Sequence, residues 1–118
     1  MSPQTHYPDK IEAELAMARE AMAEGNEGKV RVCARRAAGA AIAGYLAKYQ
    51  IGEWGSDALS QLQHVKDDVL FPKEIRAAAE KLTTRITDRF QYPFSTDPVA
   101  DALVIVEHFL QLMNASPP

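Results

Sequence analysis

From Ala37 to Ala47 the chain carries no charge, and wound at a helical period this run has no polar face. A helix without a polar side must be surrounded by other helices, so the stretch Asn26 to Tyr49 is expected to form the centre of the fold. Its residues Ala34, Ala37, Ala38, Gly39, Ala40, Ala41, Ala43 and Gly44 are small enough for neighbouring backbones to approach closely. Each glycine costs about 1 kcal/mol of helix propensity relative to alanine, which close packing must offset.

The rest of the chain supplies the surrounding helices. Alternating β-branched and aromatic runs are absent, while Ala, Leu, Glu, Lys, Arg and Gln dominate, so the fold class is all-α. A first helix is expected to open at Pro8 and Asp9, with Asp9 as its cap and Ile11, Leu15, Ala18 and Met22 as its apolar stripe. Gly25 ends it and Asn26 caps the next helix, giving a tight helical hairpin. The turn Ile51 to Gly55 should fold Trp54 back as an apolar plug, and Ser56 or Asp57 caps a short helix that ends near Lys66, Asp67 and Asp68. Pro72 suits the first position of a further helix, with Ile75, Ala79, Leu82 and Ile86 on one face. Gln91 to Thr96 reads as a turn, after which Asp97 caps a last helix burying Ala102, Ile105, Val106, Phe109, Leu110 and Met113. Short connections between such helices predict an antiparallel four-helix bundle with one short additional helix. The expected organisation is a flexible tail over 1–8, a single domain over 9–114 and a frayed C-terminus over 115–118.

A chain of 118 residues is long enough to bury one core without metals or disulfides. The single cysteine, Cys33, lies on the central helix and reads as a small buried residue in a reducing compartment, so a cytoplasmic location is expected. Met1 to Lys10 holds no apolar run of signal-peptide type, and the uncharged run Ala37 to Ala47 is far too short to span a bilayer, so no membrane partner is expected. Thirteen Lys and Arg stand against 16 Asp and Glu, a formal net charge of -3, which excludes a polycation that binds nucleic acid by bulk electrostatics. Any anion site must be local.

One local concentration of positive charge exists: Lys29, Arg31, Arg35 and Arg36 crowd the first half of the central helix, where the helix dipole is already positive. Arg31 and Arg35 share one side, and Lys29 and Arg36 share another with Ala40, Ala43 and Ala47. These arginines, with Arg85, are candidates for binding a nucleotide or other phosphate-bearing ligand. The competing reading pairs them with acids such as Glu27, Glu14 or Asp101, and lets Arg85 and Arg89 cover apolar surface with their stems. His108 stands seven residues after Asp101, about 10 Å along one helix, too far for a direct bond. It is a candidate ligand-binding group or base, and equally a border histidine held by a backbone or carboxylate group. No Cys-x-x-Cys, His-x-x-x-His or Glu-x-x-His pair occurs, so neither a metal site nor a cofactor is expected, and no catalytic residue is assigned.

The segment Ala23 to Leu46, with its glycine corner, basic opening and small residues leading to Tyr45 and Tyr49, resembles the first two helices of HEPN-domain proteins, and Pro93 to Ala102 then opens the last helix. The resemblance in architecture extends from about Asp9 to Asn114. It implies an up-and-down bundle that is often a homodimer, from a superfamily linked to RNA cleavage, nucleotide binding and pairing with minimal nucleotidyltransferases. The family's ribonuclease signature, an Arg followed after four to six residues by a His, is not matched. Leu103, Ala102 and Asp101 precede His108 at that spacing, and Leu59, Ala58 and Asp57 precede His64. The leading expectation is therefore a non-catalytic, self-associating HEPN-like protein that binds a nucleotide, RNA or another phosphate compound. One alternative is a helical partner of another protein, such as a minimal nucleotidyltransferase, docking through Trp54, Phe71, Tyr92 and Phe94. A second is a ribonuclease using His108, disfavoured by the missing motif.

Overall fold

The structure, a computed structural model, describes residues 6–84 and 97–114. Five helices, α1 (His6–Ala23), α2 (Glu27–Lys48), α3 (Ala58–Asp67), α4 (Lys73–Thr83) and α5 (Pro98–Asn114), make up its regular structure, and no strand occurs among the described residues. The all-α expectation holds.

The position of α2 follows from its missing polar face. Its residues from Ala37 to Ile42, and Gly44 and Leu46, are buried, and α1, α3 and α5 all pack on it, while α4 packs chiefly on α3 and α5. The core draws on every helix: Ile11 and Leu15 from α1, Ile42 from α2, Leu62 and Val65 from α3, Leu82 from α4, and Ile105 and Phe109 from α5. A smaller cluster of Ala18, Ala21, Val30, Cys33 and Val99 fills the end near the α1–α2 corner. Cys33 is buried there as expected.

That corner is built by two residues. Gly25 takes φ +75°, a left-handed conformation that costs a side-chain-bearing residue about 1–2 kcal/mol. The Gly25 amide donates to the Met22 carbonyl and the Asn26 amide to the Ala21 carbonyl, which satisfies the end of α1. Asn26 then accepts the Lys29 amide on its own side chain at 3.1 Å, capping α2 within the same turn. At the far end of α2, Gln50 adopts φ 56° and Ile51 donates back to Leu46. There Lys48 Nζ donates to the Met113 carbonyl and the Tyr49 hydroxyl to the Leu112 carbonyl, tying the end of α2 to the last turn of α5.

Several boundaries differ from expectation. Helix α1 begins at His6, so Asp9 lies in its first turn instead of capping it, and the tail expected over 1–8 gives way to helix from residue 6. Pro8 is tolerated because a first-turn amide has no intrahelical acceptor. Ala21 of α1 is buried, while Met22, expected on the stripe, is 49% exposed at the end of the helix next to the α1–α2 corner. Pro72 is the residue before α4, with ψ 152°, and not its first helical residue. Helix α4 stops at Thr83, and Thr84 is extended at ψ 135°. The hydroxyls of Thr83 and Thr84 both donate to the Glu80 carbonyl, an arrangement that competes with continued helix. Ile86, Thr87, Arg89 and the turn from Gln91 to Thr96 lie outside the described residues, as do 1–5 and 115–118. The caps at Asp57 and Asp97 are as expected: Asp57 accepts the Ser60 amide at 2.8 Å and Asp97 the Ala100 amide at 3.2 Å.

Candidate functional site

Arg36, Gly39, Ala40 and Ala43 recur at helical spacing and therefore share one face of α2. Small side chains on that face let the start of α3 come unusually near. A Cβ built on Gly39 lies 2.5 Å from the Ala58 Cβ, so only glycine fits. Beside this contact a cleft of ≈ 530 Å³ opens between α1, α2 and α3. Its floor is Gly39, Ala40, Ala43 and Ala58, and Lys10, Glu14, Arg36, Ser56, Asp57 and Gln61 supply its polar lining.

These polar groups differ in how far they are already engaged. Asp57 is committed to the start of α3, where bonds from the Ser60 amide and hydroxyl hold its carboxyl below the usual carboxylate value. The Gln61 amide donates to the Gly55 carbonyl at 3.2 Å. Burial pushes the Cys33 thiol up, and Glu14 adds to that both by its charge and by a hydrogen bond with the thiol, against the opposing pull of Arg36 and Lys29. Cys33 is therefore a packed thiol whose surroundings disfavour the thiolate form. Glu14 Oε2 is shut away from solvent and has no hydrogen-bond partner among the described residues.

The residues singled out from the sequence do not converge on one site. Arg36 lines the cleft. Arg31, on another face of α2, is only 4% exposed and near Asp101 of α5. Burial pushes the Asp101 carboxyl up, with Asp97 adding to the shift while Lys81 and Arg31 draw it back. Arg35 is half-buried and its Nε donates to the Leu82 carbonyl at 2.5 Å, so it closes the last turn of α4, where a cation meets the negative end of the helix dipole. The helical spacing had already put Arg31 and Arg35 on one side and Arg36 on another. Arg85 lies outside the described residues.

His108 belongs to a separate aromatic group at the α3–α4–α5 junction. Its ring meets Phe71 at 5.8 Å and Phe109 at 5.5 Å between centroids, both edge-on, and burial lowers its pKa against an opposing pull from Glu74. Trp54 is the plug anticipated from the sequence. It touches Tyr45, Phe71 and Phe109 and stacks on His64 at 4.1 Å, and His64 Nε2 lies 3.4 Å from Asp68 Oδ2. The Trp54–His64 stack carries no spacing signal, since its rings come from a turn and a helix ten residues apart. Lys10 also escaped the sequence reading, where Glu14 enters only as an acid able to pair with the arginines, because only the packing of α1 on α2 sets both beside Arg36. The described residues contain no cluster of three or more His, Cys, Asp and Glu fit for a metal ion, and no described helix is long and apolar enough to cross a membrane. Comparison with protein-family models, with curated proteins and with solved structures finds no match to this chain.

Proposed function

We propose that the chain is a non-catalytic binding protein: a HEPN-like antiparallel four-helix bundle, with α3 as the short additional helix, that self-associates and takes a phosphate-bearing ligand in the α1–α2–α3 cleft. One observation carries the ligand part. Lys10 and Arg36 reach the same ≈ 530 Å³ cleft from two helices, over a floor of small residues that leaves room for a bound group. The ligand site thus moves from Arg31 and Arg35, which face the α4 and α5 side, to Arg36 and its α1 neighbour Lys10.

The test is a thermal melt against inorganic phosphate, nucleoside phosphates and short RNA, with solution mass followed by light scattering in the same samples. A ligand preferring the folded state stabilises it by about 2.7 kcal/mol at a hundredfold excess over its Kd, which raises the midpoint. The expected result is a dimer whose midpoint rises with a phosphate compound, and a loss of that rise in Lys10→Ala with Arg36→Ala. An unmoved midpoint with every phosphate compound removes the ligand reading, and a monomer at micromolar concentration removes self-association.

A second reading rests on a different observation. Val69 and Leu70 are 76% and 89% exposed at the α3–α4 connection, beside Phe71 and the aromatic group. They suit a helical partner of another protein, such as a minimal nucleotidyltransferase. Co-purification from the native host that disappears with Leu70→Asp would support that reading over the first. Ribonuclease action through His108 has the least support, since its ring is packed between two phenylalanines and no arginine precedes it at the required spacing.

A further inference from the structure

We infer that the cleft selects a small phosphate monoester that also carries a protonated amine, with Lys10 and Arg36 taking the phosphate and Glu14 the ammonium group. The inference rests on the phosphate-binding reading and narrows it. The lining holds two cations, Lys10 and Arg36, and two acids, Glu14 and Asp57. Asp57 is engaged by the Ser60 amide and hydroxyl at the start of α3, which favour its ionised form, so Glu14 is the acid of the lining with an oxygen that lacks a donor among the described residues. A polyanion would meet repulsion from both carboxylates, whereas a phosphate joined to one ammonium sets each of its charges against an opposite charge in the lining.

Glu14 is suited to the second task by its own bonding. Its side chain lines the cleft, while Oε2 is shut away from water with no donor among the described residues. A carboxylate oxygen held without a donor is under-satisfied in the resting protein. A swing of the Glu14 side chain toward the cleft brings that oxygen to a ligand ammonium and forms a charge-assisted bond not made in the empty state. The volume suits a small molecule, and the floor of Gly39, Ala40, Ala43 and Ala58 leaves it room.

Titration calorimetry with 2-aminoethyl phosphate and ethyl phosphate isolates the ammonium, because the two esters differ only there. The wild-type protein is expected to bind 2-aminoethyl phosphate at least tenfold more tightly. Glu14→Gln keeps the shape of the side chain and should abolish that preference while retaining ethyl phosphate binding, and Arg36→Ala should weaken both. Melts of each variant without ligand verify that it folds. Equal affinity of the wild type for the two esters overturns the inference and leaves the phosphate reading standing. Binding of neither ester, nor of inorganic phosphate, overturns both, and a preference that survives Glu14→Gln removes Glu14 from the role assigned to it.

Discussion

Two stretches of α2, around Gly39 and around Tyr45, are buried by opposite means. Toward its C-terminal end, Tyr45 packs on Trp54 and Phe109 at ring separations of 6.0 and 5.1 Å, and Phe71 closes the group from the α3–α4 connection at 5.6 Å from Phe109. At Gly39 the same helix meets α3 through small residues, and Ala58 approaches where no Cβ can be added. Large rings fill space from several elements at once, so much of the burial there hangs on a few side chains. Small residues fix the distance between backbones instead, and where the helices diverge they leave an opening. The cleft opens over Gly39, Ala40 and Ala43, whose side chains are too short to fill it.

The comparison can be broken most severely at the ring end. Phe109→Ala removes a fully buried ring at the centre of the aromatic group and should cost about 3–5 kcal/mol in urea unfolding. A loss under about 1 kcal/mol would mean that the rings fill space without supporting the fold. Next comes the small-residue stretch, where Gly39→Leu should overpack the α2–α3 contact and cost about 1–3 kcal/mol or more. Gly39→Ala sharpens the point. Alanine gains about 1 kcal/mol in helix propensity, so a melt below wild type shows that the contact outweighs propensity, and a raised melt refutes the close approach.

Titration separates two sites on α5, Asp101 near Arg31 and His108 in the aromatic group, by sign. Burial lowers the folded pKa of His108, so its contribution is fully present above the ordinary value of 6.5 and is lost as pH falls through the folded value. Burial raises that of Asp101, so its contribution is fully present below 3.8 and is lost as pH rises through the folded value. Stability measured against pH should therefore fall below pH 6.5 in the wild type and less steeply in His108→Phe, while Asp101→Asn should flatten only the region just above 3.8. If His108→Phe keeps the full wild-type slope below 6.5, the aromatic group is not the acid-sensitive site. The smallest effect is expected at Gln50, whose φ of 56° suits glycine better: Gln50→Gly should stabilise by about 0.5–1 kcal/mol, read from the midpoint of a thermal melt.

Much of this fold was legible because it depends on local chemistry. The uncharged run on α2, the Gly25–Asn26 corner and the caps at Asp57 and Asp97 each follow from residues within one or two turns of one another. The errors came where neighbours outside the helix decided the outcome. Met22 fits the α1 stripe by periodicity better than Ala21 does, yet Ala21 is buried and Met22 is 49% exposed. For Arg31 and Arg35 the sequence leaves open a ligand site or pairing with acids such as Asp101, and the packing puts Arg31, buried, near Asp101 and bonds Arg35 to the end of α4.

The sequence by itself determined that the chain is helical, that α2 lies at its centre and that Arg36 faces away from Arg31 and Arg35, because helical period and side-chain polarity act over short distances. Only the tertiary structure decided which charges meet. Lys10 and Glu14 come to Arg36 through the packing of α1 on α2, Asp57 and Gln61 through the contact of Ala58 on Gly39, and Trp54 to His64 through the turn between α2 and α3. Such meetings depend on how rigid helices stack, and helical periodicity carries no record of the distance between one helix and the next.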